Sequence, residues 1–367
     1  MVPKSFLNKL NLLYNSRCHL KNKKMQIRDP KTIVKLRQPT LSDSAKRIRP
    51  SSKKIWLFCL VAIIIGFAFI LHHGITHAIN NPNAITSGWK GYCLDDYHNS
   101  NEANAQLDIW SCNSSSSQAF ALNLTQIKHA NNQCLTAESA IKIDLNPCNN
   151  MANQVWLRDQ QSFFNPKLRL CLSVLQPSDG ALLSLTPCTN LRTAAKSWST
   201  NFNFLNYNCQ GSEGAIVACN AIKQWTIWQD QPSNHENLLT AYTGGASYEE
   251  WCADFVSYIY KVSNYPFSNG NYAGWDENDA NQIANQGFNY HAVGSGYLPS
   301  PGDVAYFNYN GGHVEIVIVG GKEPTFVYGD SATIDPLTNN GQMEANTILG
   351  EKKLGSIQYY LSPTAGS

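Results

Sequence analysis

Between residues 85 and 200 the chain says the same thing three times, and no other feature limits its folding so tightly. The first unit runs Gly91-Tyr92-Cys93-Leu94-Asp95, then Leu107-Asp108-Ile109-Trp110-Ser111-Cys112, then Gln118-Ala119-Phe120. The second runs Asn132-Gln133-Cys134-Leu135-Thr136, then Ile143-Asp144-Leu145-Asn146-Pro147-Cys148, then Gln154-Val155-Trp156. The third runs Leu170-Cys171-Leu172-Ser173, then Leu183-Ser184-Leu185-Thr186-Pro187-Cys188, then Lys196-Ser197-Trp198, with Lys196 where the others have Gln. Apolar and polar residues alternate in pieces such as Leu107-Asp108-Ile109-Trp110, which predicts short half-buried strands, and helix signals are absent. A unit of about 40 residues built this way cannot bury its own apolar face, so the three must close on one another.

These repeats resemble the ricin B-type lectin family. The resemblance implies a β-trefoil over residues 85–200, with Phe120, Trp156 and Trp198 in a shared core. It also implies sugar binding, through an Asp two residues after the first Cys of a repeat and an aromatic near the second. Only the first repeat has both, as Asp95 and Trp110, with Asp108 and Gln118 in supporting positions. The second has Thr136 and Asn146 there, and the third Ser173 and Thr186, so one working site is expected, in the first repeat. Trp110 is open to two readings, a platform for a sugar ring or a structural residue.

Of eleven cysteines, Cys18 lies in the N-terminal tail, Cys59 in an apolar run, and nine beyond it. Eight of the nine form sequential pairs with short loops, Cys93 with Cys112, Cys134 with Cys148, Cys171 with Cys188 and Cys209 with Cys219, as in an oxidised extracytoplasmic domain. The repeats favour that order. Residues 201–220, rich in Asn, read as a hinge stapled by Cys209 and Cys219, and Cys252 is left over.

The small net charge of +2 hides an asymmetry: residues 1–54 carry +13 and the remainder −11. The boundary coincides with Ile55 to Leu71, 17 residues without a charge, near the lower length limit for a membrane span. Residues 55–79 therefore read as a single transmembrane signal anchor. The basic tail 1–54 reads as disordered and cytoplasmic, which places everything after residue 79 outside. A signal peptide cleaved near Thr76-His77-Ala78 is the rival, and a buried soluble helix the bland alternative. The tail has almost no aromatic interleaving, so it is assigned to topology and contact with anionic membrane lipid, with no nucleic-acid partner.

Chemistry is concentrated in residues 221–362. Ser247 and Glu250 form a capping box, and Trp251, Phe255, Val256 and Ile259 recur at helical spacing, which predicts a helix from Tyr248. Cys252 then lies where exposed N–H groups and the helix dipole stabilise a thiolate; an inert buried thiol is the competing reading. Further on, Ser300-Pro301-Gly302-Asp303 predicts a turn into a strand, Gly311-Gly312-His313-Val314 a second strand, and Thr325 to Asp330 a third. A Cys on a helix N-terminus, a His opening a strand and an acid on the next form a nucleophile, a base and an orienting group. Cys252, His313 and Asp330 are assigned these roles.

The segments Trp251 to Val256, Pro301-Gly302-Asp303 and Gly312-His313-Val314 resemble the CHAP family of cysteine, histidine-dependent amidohydrolases and peptidases. The resemblance implies a papain-like α+β fold and hydrolysis of amide bonds in the peptide part of bacterial peptidoglycan, either as an N-acetylmuramoyl-L-alanine amidase or as an endopeptidase. Family members often carry Glu-x-Asn where this chain has Tyr328-Gly329-Asp330, and Glu323 or Asp335 are alternative third members. His235 and His291 lie in polar stretches and read as solvated. The acids Asp276 to Asp279 read as a solvated helix start rather than a calcium site, and no metal or cofactor is expected. Sequons stand at Asn113 and Asn123.

The whole reads as a multidomain protein: one transmembrane helix, an all-β trefoil lectin-like domain, a linker and an α+β CHAP-type hydrolase. Its expected partners are peptidoglycan and cell-surface carbohydrate. The competing reading is a non-catalytic adhesin of cell walls or glycans.

Overall fold

The computed structural model describes residues 84–97, 103–245, 250–266, 288–308, 312–331, 335, 338, 340–347 and 357–363. The basic tail, the apolar run at 55–79, Ser247 and the acids at 276–279 lie outside the described residues. Among the described residues no helix is long and apolar enough to cross a membrane.

The first repeat supplies β1 (Thr86–Ser87), β2 (Tyr92–Asp96), β3 (Ala105–Ser111) and β4 (Phe120–Leu122). The second supplies β5 (Ile127–His129), β6 (Gln133–Ser139), β7 (Lys142–Pro147) and β8 (Leu157–Asp159). From the third come β9 (Ser162–Asn165), β10 (Leu170–Ser173), β11 (Ala181–Leu182), β12 (Ser184–Thr186) and β13 (Trp198–Ser199). Every pairing is antiparallel, and the last strand returns to the first, with Ser87 opposite Trp198. That closure buries what a single repeat would leave wet. Phe120, Trp156 and Trp198 are each at most 1% exposed, among Leu94, Leu135 and Leu172. The two indoles also satisfy their polar edge: Trp156 Nε1 donates to the Leu135 carbonyl at 2.9 Å, and Trp198 Nε1 to Leu172 at 3.1 Å.

The Gln that precedes each aromatic has a local task. Gln154 donates to the Pro147 carbonyl and accepts from the Asn149 N–H, so its amide clamps the chain on both sides of Cys148. Gln118 does the same around Cys112, through Ser111 and Asn113. In the third repeat the Lys196 ammonium donates to the carbonyls of Pro187 (2.7 Å) and Thr189 (2.5 Å), on both sides of Cys188. The substitution thus keeps the clamp with different chemistry. Disulfides join Cys93 to Cys112, Cys134 to Cys148, Cys171 to Cys188 and Cys209 to Cys219, and Cys252 is free.

Past the trefoil come α1 (Glu213–Asp230), capped by the Ser212 hydroxyl accepting from Ala215 N–H, α2 (His235–Thr243), and α3 (Cys252–Val262). Strands β14 (Phe288–Ala292), β15 (Val304–Phe307), β16 (His313–Val319), β17 (Thr325–Tyr328), β18 (Glu344–Thr347) and β19 (Ile357–Pro363) form one antiparallel sheet in the order β14-β19-β15-β16-β17-β18. Helices α1 and α3 pack on β16, and β15, β16 and β17 are buried almost throughout. The turn before β15 is set by close backbone approach: Gly302, at φ +91°, lies against Gly214 in α1, so that a side chain on Gly302 would collide with the Gly214 backbone and one on Gly214 with the Pro301 carbonyl.

Two expectations need correction. The helix predicted from Tyr248 begins at Cys252, with Glu250 and Trp251 outside it. Trp251 is fully buried against Trp228, Tyr242 and Phe255, and its N–H is taken by the Asp330 carboxylate at 3.2 Å, so tertiary contacts override the capping signal. Nor do residues 201–220 act as a hinge. Helix α1 starts inside them, and the trefoil and the α+β domain share one continuous core in which Phe164 of β9 stacks on Trp225 of α1. Salt bridges from Lys167 to Glu323 (3.0 Å) and from Arg169 to Glu344 (3.1 Å) flank that contact.

Candidate functional site

Cys252 is the first residue of α3 and His313 the first of β16, and the fold brings sulfur and imidazole into hydrogen-bonding contact. The first-turn N–H groups of a helix have no partner within it, so the sulfur sits where partial positive charge is concentrated. Asp254 adds an acid to that first turn. Around the imidazole, Tyr328 meets the ring edge to face and Phe307 lies across the pairing strand. Burial opposes a charge on His313. The hydrogen bonds and charges of Cys252 and Glu315 outweigh it and push the imidazole pKa up to about 10. At neutral pH the ring is therefore an imidazolium facing a sulfur.

The acid that pairs with the ring is Glu315, whose Oε1 lies 3.5 Å from His313 Nε2. Asp330, assigned that role from sequence, stands elsewhere. It follows β17 at φ +60°, and its carboxylate accepts from the backbone N–H groups of Trp251 and Gly341. Burial raises its pKa, and the His313 charge reaches it only through space. Asp330 therefore fixes the start of the helix that carries Cys252, and Gly329 leaves room for the Trp251 ring beside it. The sequence signal for Glu315 was present in His313-Val314-Glu315, since residues two apart share one face of a strand. The two alternatives are engaged away from the imidazole: Glu323 pairs with Lys167, and Asp335 with His235.

His235 is not solvated as expected. It is buried and stacked on Trp228, its Nε2–H donating to the Trp228 carbonyl at 2.8 Å and its Nδ1 sharing a hydrogen bond of 2.5 Å with the Asp335 carboxyl. His291 stacks on Tyr297 and bonds Ser362, and burial lowers its pKa.

In the first lectin repeat, Asp95 and Asp108 face each other across β2 and β3, and Trp110 stands beside them at 36% exposure. Ser117 donates to Asp95 at 3.1 Å, and Gln118 also bonds it. Gln118 is fully buried, so it orients Asp95 and the loop. Burial first, then the charges of Asp95, Asp96 and Asp179, push the Asp108 pKa up to about 8. Both Asp108 carboxylate oxygens lack a hydrogen-bond partner among the described residues. The third repeat closes one side: Asp179 accepts from Ser111, and Gly180 lies against Trp110 and Asp108. Only one group of potential metal ligands occurs among the described residues, Asp159 with Cys171 and Cys188, and its sulfurs are joined in a disulfide.

Residues 82–198 match the family model of the ricin-type beta-trefoil lectin domain, and residues 242–329 match that of the CHAP domain. The chain is thus a multidomain protein with a β-trefoil lectin-like domain and a CHAP domain. The first implies carbohydrate binding, and the second a hydrolase acting on amide or peptide bonds. Among solved structures the chain is similar to an agglutinin from Abrus precatorius, at 22% identity over 32% of this chain and 46% of that one, with TM-score 0.29. It is similar also to the β-trefoil lectin of the Vibrio vulnificus hemolysin/cytolysin with N-acetyl-D-lactosamine bound, at 20% identity over 32% and 90%, TM-score 0.28. A third is the C-half of an earthworm R-type lectin in complex with GalNAc, at 14% identity over 32% and 94%, TM-score 0.29. No curated protein matches.

Proposed function

We propose that this chain is a peptidoglycan hydrolase of the cell surface, an N-acetylmuramoyl-L-alanine amidase or an endopeptidase, held on its substrate by the lectin module. The observation that carries the reading is the Cys252–His313 contact, with a charged imidazole facing a sulfur on a helix N-terminus. In that arrangement the thiolate attacks the amide carbonyl carbon, and helix N–H groups stabilise the developing oxyanion. His313 then gives its proton to the leaving amine as the C–N bond breaks. Water, deprotonated by the now neutral imidazole, attacks the thioester, and loss of the acid product restores the thiolate–imidazolium pair. Glu315 keeps the imidazolium oriented and charged.

The lectin domain raises the local concentration of wall substrate by binding glycan through Asp95, Asp108 and Trp110. The apolar run Ile55 to Leu71 behind a tail of charge +13 supports a single-pass membrane anchor in contact with anionic lipid, with the domains outside. The test is a digest of purified peptidoglycan with the full chain beside Cys252→Ala, read by mass spectrometry. New muropeptides or free stem peptides from the parent alone are expected. No cleavage of several wall chemistries by the folded, thiol-reduced protein would leave a wall-binding adhesin instead.

A further inference from the structure

Where the third lectin repeat, the linker and the end of α1 meet, the chain forms a cleft of about 680 Å³, a size typical of small-ligand sites. Arg158 enters it from β8, Phe202 and Phe204 from the linker, and Thr226 and Asp230 from α1. The Arg158 guanidinium lies over the rings of Phe163 (5.3 Å) and Phe204 (6.0 Å), which hold it in place. Its Nη1 is buried without a hydrogen-bond partner among the described residues, and so is the hydroxyl of Thr226, a side chain only 1% exposed. A buried polar group left unpaired is costly, because it gave up its hydrogen bonds to water and gained none in return. Asp230 and Asp159 both attract the guanidinium through charge, and Asp230 also accepts from the Gln160 backbone N–H, yet neither carboxylate forms a hydrogen bond to Nη1.

The turn that carries Gln160 adds a second observation. Gln160 holds φ +51°, whereas the β5–β6 turn and the β1–β2 turn place Asn132 and Gly91 in the left-handed region. Asn and Gly tolerate that conformation far better than Gln does, so an unfavourable backbone is retained where the side chain lines the cleft. Arg192, on the rim, brings a second cation.

We infer that this cleft is a second glycan site, separate from the first repeat, that takes an acidic sugar. Arg158 meets the carboxylate, Thr226 a ring hydroxyl, and the half-buried Phe202 ring the apolar face of the sugar. Because its walls come from both domains, an occupied cleft also strengthens the contact between lectin and hydrolase.

The test uses the full-length chain carrying Asp95→Ala and Trp110→Ala, which removes the first-repeat site, titrated with glucuronic acid and N-acetylmuramic acid against glucose and N-acetylglucosamine. The acids are expected to bind about tenfold or more tightly than the neutral sugars, and Arg158→Met to abolish that preference. Equal binding of acid and neutral sugars, no binding of any, or an unchanged preference in folded Arg158→Met would overturn the inference. Should Arg158→Met fail to fold, Thr226→Val decides: several-fold weaker binding of the acids is expected, and unchanged affinity sinks the idea. The peptidoglycan digest is read against Cys252→Ala and the sugar titration against Arg158→Met, so the failure of either reading is told apart from the other.

Discussion

Nε2 of His313 and Oε1 of Glu315 face each other at 3.5 Å on one side of β16, both side chains buried. The imidazolium is present below the ordinary histidine range and is lost only as pH rises through about 10. Glu315→Gln removes one of the charges that hold it. The alkaline limb of the pH–rate profile should then move to lower pH, and kcat/KM fall on the order of 10²- to 10⁴-fold, as when the orienting acid of a triad is neutralised. An unmoved alkaline limb would remove Glu315 from the machinery.

Asp330 acts on the backbone just ahead of Cys252, so its two simplest variants should differ. Asp330→Ala loses the acceptor for Trp251 N–H and should cost about 1–2 kcal/mol, as a lost helix cap does, with reduced activity. Asp330→Asn keeps an oxygen there and should retain most of both. Denaturant titration and hydrolysis rates check this, and an Asn variant as inactive as Cys252→Ala would make Asp330 the imidazole's partner after all.

Asp108 is an acid whose folded pKa, about 8, lies far above its ordinary value of 3.8. The native state binds the proton more tightly than the unfolded chain, so stability falls as pH rises from about 4 to about 8 and then levels off. Asp108→Asn should leave the melting temperature nearly unchanged at pH 4 and raise it at pH 9. A benefit that does not grow with pH would contradict the buried, protonated carboxyl.

Trp225 of α1 stacks on Phe164 of β9 at the centre of the contact between domains. Trp225→Ala should cost about 3–5 kcal/mol and split a single calorimetric transition into two, because each domain would then melt on its own core. One undivided transition in the variant would show that the salt bridges and linker suffice to couple them.

The trefoil was legible because a threefold repeat of Cys-Leu and Gln-x-aromatic leaves few ways to bury its apolar faces. Even Lys196, which breaks the pattern, serves it by bonding the chain on both sides of Cys188. The strand signal placed His313 at the start of its element, whereas the capping signal put the helix start at Tyr248, four residues ahead of where it begins. The carboxylate nearest the imidazole lies on the same strand as His313, whereas the sequence reading looked for it on the next one. His235 looked solvated because its neighbours in sequence are polar, while its partner Asp335 lies 100 residues away.

Local sequence determined the repeats and the strands around His313, because those depend on periodicity and on residue types a few positions apart. The tertiary structure alone decided that α3 starts at Cys252, that Glu315 rather than Asp330 meets the imidazole, that residues 201–220 are packed rather than hinged, and that a cleft opens beside Arg158. Each of these depends on which distant groups compete for one buried hydrogen bond or one apolar face, and that competition is settled only when the chain has closed on itself.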